Sequence, residues 1–175
     1  MFTRLARLDA VVICELNGDA LGGGLELALA ADLRIAVEGI RLGFPETGIG
    51  AIPGWLGCAR QPQVAGPARA RQMILTAKLI DARKAEAWGL VNEVVPRADL
   101  KARCEALAQA IAQRSPVALS AAKRILDAES QEAIHELAAT ACMASADAAE
   151  GMRAFREERA PHFQLEPSAP AGGAD

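Results

Sequence analysis

The chain has 175 residues, of which 51% are hydrophobic and 23% are charged, and its 19 basic and 22 acidic side chains give a formal net charge of −3. These values are typical of a globular domain, and they exclude a collagen, a disordered polyampholyte and a disulfide miniprotein. Lys and Arg are scattered and form no basic stripe, so we expect no nucleic-acid binding. Apolar stretches are too short for a membrane span, and no signal-peptide pattern follows Met1, so we expect neither a membrane association nor secretion.

The cysteines and histidines favour reduced thiols over a metal site. The four cysteines are widely spaced with no CxxC pair, and there are only two histidines. This composition predicts no metal centre and is typical of a cytoplasmic protein with free thiols. The residues concerned are Cys14, Cys58, Cys104, Cys142, His135 and His162.

The first part of the chain predicts a strand, a turn, a helix and a second strand. Residues 10–16 are β-branched and apolar and end at Asn17-Gly18, which favours a short buried strand. Three glycines at 22–24 precede a Leu/Ala-rich run that predicts a buried helix from about Gly23 to Ala31. Residues 33–37 predict the second strand. The Gly/Pro-rich residues 43–57 predict a loop with short turns.

The remainder of the chain predicts helices separated by one strand, residues 90–95. Asp81 and Asp99 can cap helices, Gly89 can end one, and Ser115-Pro116 is a typical helix start. With only about three strands, the sheet is too small to be stable alone, which indicates missing strands or a partner. The predicted helices cover about residues 67–77, 82–88, 99–114, 115–128, 130–143 and 147–158, and a disordered tail is expected from Glu166.

The glycine-rich segment 22–24 is the first candidate site. Free N–H groups and the helix dipole at a helix start favour an anion or an oxyanion, and glycine lets a substrate approach the backbone. The alternative is that three glycines only allow close packing of a strand and a helix. The spacing matches neither GxGxxG nor a P-loop, which excludes those nucleotide sites.

Two glutamates are candidate proton-transfer groups. Glu26 lies in the first turn of the predicted apolar helix, where a carboxylate with little polar surrounding can exchange protons near neutral pH. It can equally be a first-turn residue that interacts favourably with the helix dipole. Glu46 follows Pro45 in the Gly/Pro-rich loop, where catalytic groups often lie, although an exposed loop glutamate is the ordinary alternative.

The motifs together resemble those of the crotonase (enoyl-CoA hydratase/isomerase) superfamily. The resemblance covers nearly all of residues 10–163 in family order. It implies an α/β fold, a partial crotonase-like ββα superhelix followed by a C-terminal helical trimerisation region. The segments that carry it are NGDALGGGLELALAADLRIAV at 17–37, LGFPETGIGAIPGWLG at 42–57, LTAKLIDARKAEAWGLVNEVVP at 75–96, SPVALSAAKRIL at 115–126 and EGMRAFREERAPHF at 150–163.

The resemblance assigns roles to individual residues. Gly23 matches the glycine whose N–H is one of two oxyanion-hole donors, and both hydratase glutamates fall on glutamates here, Glu26 and Glu46. The implied reaction is syn addition of water to a trans-2-enoyl-CoA, with Glu46 as the proton donor to C2 and Glu26 as the residue that activates the water. The coenzyme A is part of the substrate, so no separate cofactor is implied. The residues expected to line the acyl pocket are Ala20, Gly22, Pro45 and Thr47.

The sequence departs from the family pattern at two places. Residues 1–9 resemble only the helix that precedes the first strand here, so we expect an N-terminally truncated member that lacks the second oxyanion donor and part of the coenzyme A site. The Trp55-Leu56 and Cys58-Ala59 pairs replace residues that are usually glycine and Thr-Gln in the family. This second departure affects the loop behind the expected pocket.

The resemblance also implies a domain organisation and an assembly. We expect a partial catalytic core at 1–96, a helical oligomerisation region at 97–163 and a disordered tail at 164–175, assembled as a homotrimer or hexamer. The two glutamates favour a hydratase over an isomerase of the same family. The alternative from another class is an inactive or truncated crotonase-like scaffold or subunit.

Overall fold

A computed structural model describes residues 2–126, 141 and 144–163. The chain divides into two compact units, Met1–Gln109 and Ala110–Asp175. The first unit holds two small sheets with the helices that cover them, and the second unit is helical where it is described. The expected boundaries at 96/97 and 163/164 concern function and stay predictions.

Two three-stranded sheets form the centre of the first unit. The strands are β1 (Ile13–Leu16), β2 (Ala20–Leu21), β3 (Leu33–Val37), β4 (Arg41–Gly43), β5 (Ile80–Asp81) and β6 (Glu93–Val95). In one sheet all strands are parallel, and β3 lies between β1 and β6. In the other, β2 pairs with β4 in parallel, and β4 pairs with β5 antiparallel.

Short helices connect and cover the strands. Two 3-10 turns, Glu46–Ile49 and Arg97–Asp99, precede α3 and α6. The α-helices are α1 (Phe2–Ala6), α2 (Gly23–Ala28), α3 (Gly57–Ala65), α4 (Pro67–Thr76), α5 (Ala82–Ala87), α6 (Leu100–Ala112), α7 (Pro116–Leu126) and α8 (Ala146–Arg156).

The central strand β3 explains the core. Ile35, Ala36 and Val37 are all fully buried, because β3 has a neighbouring strand on each side and is covered on both faces. Such a strand is a continuous apolar run rather than an alternating one, as parallel strands in α/β proteins generally are. Leu25 and Phe44, which flank the candidate site, belong to the same core and are also fully buried.

Several predicted elements are confirmed. The strand at 33–37 has the predicted bounds. Asp81 caps α5, its carboxylate accepting a 2.8 Å hydrogen bond from the Lys84 N–H. Gly89 follows α5 with φ of +75°, the left-handed conformation that ends helices. Ser115 caps α7 through its Oγ, which accepts from the Ala118 N–H at 3.1 Å.

Other expectations were wrong in detail. The helix predicted to run from Gly23 to Ala31 ends at Ala28, and residues 29–32 turn back toward β3. It is also less buried than expected, since Leu27 is 40% exposed. The described residues contain six strands rather than about three, because β2, β4 and β5 have only two or three residues each and are too short to produce a pattern. The helix α3 was not predicted, because it begins at Gly57 and contains Pro62, and both residue types are typical of loops.

The remaining predictions concern the second unit. The helix predicted at 147–158 is present as α8, which is capped by Ser145 Oγ. Glu150 on α8 binds Arg159, whose guanidinium lowers the pKa of that carboxyl to about 2. Most of the helix predicted at 130–143 and of the tail lies outside the described residues, as does Cys142. The expected trimerisation by this region stays a prediction.

A buried arginine ties α2 to the strands. Arg34 on β3 is 6% exposed, and it donates from Nε to the Leu90 carbonyl at 2.8 Å and from Nη1 to the Ala31 carbonyl at 2.6 Å. Burial lowers the pKa of this guanidinium, which its carbonyl partners nevertheless keep satisfied. The Arg34 side chain thus connects β3 by hydrogen bonds to the turn after α2 and to the segment before β6.

We predict that Arg34→Met lowers the free energy of unfolding by about 2–4 kcal/mol, because two buried carbonyls lose a charged donor. Urea denaturation measures this change. The exposed Arg71→Met variant on α4 is the matched control, with an expected change within about 0.5 kcal/mol. Equal stability of the two variants would contradict a structural role for Arg34.

Candidate active site

The start of α2 is an exposed stretch of glycine backbone. Gly22 has φ of +53° and ψ of −123°, a conformation that side-chain-bearing residues rarely adopt, and its N–H donates to the Gly43 carbonyl at 2.9 Å. Gly23 and Gly24 are exposed, with open space where a side chain would begin. The N–H of Gly23 lies in the first turn, where a helix offers it no carbonyl partner.

Glu26 is buried under this start and is held by the loop before α3. It is 1% exposed, and its Oε1 accepts two backbone hydrogen bonds, from the Trp55 N–H at 2.7 Å and the Gly57 N–H at 2.8 Å. Two donors on one oxygen fix the orientation of the carboxylate and leave Oε2 for a different partner. Glu26 does lie in the first turn of α2, and its burial shows that the carboxylate does not face solvent.

Glu46 lies against the same helix start, beside Gly22. It begins the 3-10 turn after β4, and its Oε2 is buried without a hydrogen-bond partner among the described residues. Its Oε1 lies 2.7 Å from the point where a Cβ on Gly22 would stand. A buried carboxylate oxygen without a partner is costly, so this position is suited to a bound water or ligand.

The other residues predicted to line the pocket differ in how deeply they are buried. Ala20 is 4% exposed on β2, and Gly22 is also buried. Pro45 and Thr47 are half-buried on either side of Glu46. The Thr47 hydroxyl donates to the Ile74 carbonyl at 2.7 Å and so ties the 3-10 turn to α4. Because its hydroxyl is used in this way, the Thr47 side chain can offer a pocket its methyl group but not a hydrogen-bond donor.

Chemically, the arrangement combines two carboxylates with one available amide. Glu26 lies in the first turn of α2, as does the Gly23 N–H. Glu46 Oε1 lies beside Gly22, the N-cap residue of that helix. Carboxylates in such a place can hold and move the protons of a water molecule, while the amide can stabilise a developing negative charge. Sequence reasoning missed the backbone donors of Trp55 and Gly57, because no side-chain pattern marks them; the only signal was the Gly-rich loop.

Two features are absent from the described part of the chain, a cluster of metal ligands and a membrane-spanning helix. No group of three or more His, Cys, Asp or Glu side chains there is placed to hold a metal ion. In the same ranges no helix is both long and apolar enough to cross a membrane. Cys14, Cys58 and Cys104 are free thiols, and burial raises the pKa of Cys14 and Cys104.

Comparison with known families decides the relationship. Residues 1–166 match the family described as Enoyl-CoA hydratase/isomerase. The chain belongs to this family. YngF of Bacillus subtilis is 42% identical over 163 residues, which cover 88% of this chain and 63% of YngF. The short-chain-enoyl-CoA hydratase of Clostridium acetobutylicum is 37% identical over 165 residues, covering 91% of this chain and 63% of that protein.

Solved structures of enoyl-CoA hydratases have the same fold as the part of this chain that they match. The crystal structure of an enoyl-CoA hydratase from Bacillus anthracis superposes with a TM-score of 0.89 at 36% identity, covering 94% of this chain and 66% of that one. This family member therefore has an α/β crotonase-like fold that is partial relative to its longer relatives. The chain spans less than two thirds of the length of each of these three relatives. The expectation that the uncovered part is N-terminal stays a prediction.

The glycines at the start of α2 generate a paired prediction. We expect Gly22→Ala to destabilise the fold by about 1–3 kcal/mol, because its φ is positive and the new Cβ would meet Glu46 Oε1. Gly24→Ala should instead stabilise it by about 0.5–1 kcal/mol, since that position is helical with open space around it. Thermal unfolding of both variants measures these changes, and two shifts of the same sign would contradict the described backbone.

Proposed function

We propose that this family member is an enoyl-CoA hydratase, which adds water in the syn sense to a trans-2-enoyl-CoA and gives a 3-hydroxyacyl-CoA. The observation that carries the proposal is that two glutamates lie at the start of α2, Glu26 in its first turn and Glu46 beside its N-cap residue Gly22. Glu26 is buried and fixed by two amides, and Glu46 presents a buried oxygen without a partner among the described residues. A water molecule between them would satisfy that oxygen.

Each of the two carboxyl groups carries out one of the proton transfers. Glu26 takes a proton from the water as the oxygen bonds to C3, and Glu46 delivers a proton to C2, so the C2–C3 double bond becomes a single bond. The proton that Glu26 has gained then passes to Glu46, which restores the starting state of both carboxyls. No redox step or further reactant is required.

The Gly23 amide stabilises the charge that develops on the thioester oxygen. As water adds to C3, the carbonyl takes on enolate character, and a backbone N–H aimed at its oxygen lowers the barrier. The exposed, glycine-flanked position of this amide lets a thioester approach the backbone. We assign the acyl contacts to Ala20, Gly22, Pro45 and Thr47, and a homotrimer or hexamer remains the assembly expected from the family.

An assay of the enoyl-thioester absorbance has three possible outcomes, which distinguish this reaction from its alternatives. With crotonyl-CoA, a hydratase removes the absorbance of the conjugated enoyl thioester. With a trans-3-enoyl-CoA of six carbons, an isomerase instead creates that absorbance by moving the double bond into conjugation. A scaffold without catalytic activity changes neither, and this outcome from folded protein would contradict the proposal.

We predict that Glu46→Gln and Glu26→Gln each lower kcat for hydration by roughly 10²–10⁴-fold, because each loses a proton-transfer group while keeping its size. The loss of crotonyl-CoA absorbance measures kcat. Glu105→Gln on the exposed face of α6 is the matched control and should keep the unaltered rate. Hydration at the unaltered rate in Glu46→Gln would remove Glu46 from the mechanism.

A further inference from the structure

Leu56 has an unusual backbone at the point where α3 begins. Its φ is +77° and its ψ is 15°, the left-handed conformation, which is uncommon for residues other than glycine. Only two other non-glycine residues in the described ranges have a positive φ, Ala77 and Glu158. The Leu56 side chain is 47% exposed, so burial of that side chain does not explain why the backbone is held there.

The left-handed residue separates the two amides that hold Glu26. The N–H groups of Trp55 and Gly57 both donate to Glu26 Oε1, at 2.7 and 2.8 Å, and Leu56 is the residue between them. Alternation of right- and left-handed backbone directs neighbouring N–H groups to one side of the chain, which forms a concave anion site. Here the anion is a carboxylate of the same protein.

Glu26 also supplies a hydrogen-bond acceptor at the start of α3. Leu56 is the N-cap residue of this helix and provides no side-chain hydrogen bond to it. The first N–H groups of a helix require acceptors, which an Asp, Ser or Thr at the N-cap usually supplies. The Gly57 N–H obtains its acceptor from Glu26 instead, so the start of α3 and the position of the carboxylate depend on each other.

The neighbouring Gly57 is required for a different reason, which is the close approach of other atoms. A Cβ on Gly57 would lie 2.9 Å from Glu26 Oε1, 2.8 Å from the Pro53 Cβ and 2.9 Å from a ring carbon of Phe44. Position 57 therefore needs glycine for close approach, and the left-handed turn falls on the residue before it. A leucine in that conformation persists only because surrounding contacts hold it.

We propose that Leu56 is a positioning residue for Glu26: its left-handed backbone aims the Trp55 and Gly57 amides at Oε1 and thereby leaves Oε2 facing its reaction partner. The catalytic part of this inference rests on the proposed function, whereas the backbone link between Leu56 and Glu26 does not. Leu56 acts through its backbone, so a residue that accepts positive φ can replace it.

The test compares Leu56→Val with Leu56→Gly. A β-branched residue disfavours the left-handed conformation, and glycine accepts it freely. Glu158→Val, at another left-handed residue in the second unit, controls for a general effect of backbone strain. Two readouts are taken from the same proteins: the amide proton resonances of Trp55 and Gly57 by NMR, and kcat and KM for crotonyl-CoA.

In Leu56→Val we expect both amide resonances to move toward their positions in Glu26→Ala, which removes the acceptor. We expect kcat to fall about 10²-fold, as for a misplaced catalytic group, with little change in KM. Leu56→Gly should restore the unaltered resonances and kcat, and Glu158→Val should change neither.

The two proposals fail in different ways. If the unaltered chain hydrates no crotonyl-CoA but Leu56→Val still moves the two resonances and Leu56→Gly restores them, the proposed function fails and the positioning of Glu26 by Leu56 is supported. If Leu56→Val keeps the unaltered resonances, or if kcat falls equally in Leu56→Gly, the positioning role is overturned.

Discussion

The site depends on how the chain satisfies one buried carboxylate. Glu26 lies in the core under the first turn of α2, and an unpaired charge there would oppose folding. Its Oε1 accepts from the Trp55 and Gly57 amides, which joins α2 to the loop before α3 across some thirty residues of sequence. The same two bonds that make burial tolerable also fix the orientation of the carboxylate. Stability and the candidate chemistry therefore rest on one contact.

Close backbone approach gives the second carboxylate its place. Gly22 has no side chain, and Glu46 Oε1 occupies the space that one would need, while Thr47 anchors the turn that carries Glu46 to α4. The parallel sheet around β3 supplies the rigid support, because Arg34 fastens the turn after α2 to that strand. Glu46 thus keeps one carboxylate oxygen buried without a hydrogen-bond partner among the described residues, a cost consistent with a site built for a ligand rather than for stability alone.

Sequence reasoning predicted β3, the cap of α5 and the start of α7, since each depends on local signals: an apolar β-branched run, an aspartate and a Ser-Pro pair. Two glutamates near a glycine-rich helix start were also visible, although composition alone left each of them with an ordinary alternative. The two-residue strands β2 and β5 were not predictable, because their pairing comes from tertiary contacts. Backbone donors such as Trp55 N–H, and the left-handed Leu56, leave no side-chain signature in a sequence.

A crystal structure of this chain at a resolution that orders solvent would test the central claim most directly. The account predicts that Glu26 Oε1 is bonded to the Trp55 and Gly57 amides and that one ordered water lies within hydrogen-bond distance of both Glu26 Oε2 and Glu46 Oε2. A Glu46 side chain turned out to solvent, or a Glu26 carboxylate released from the two amides, would contradict it.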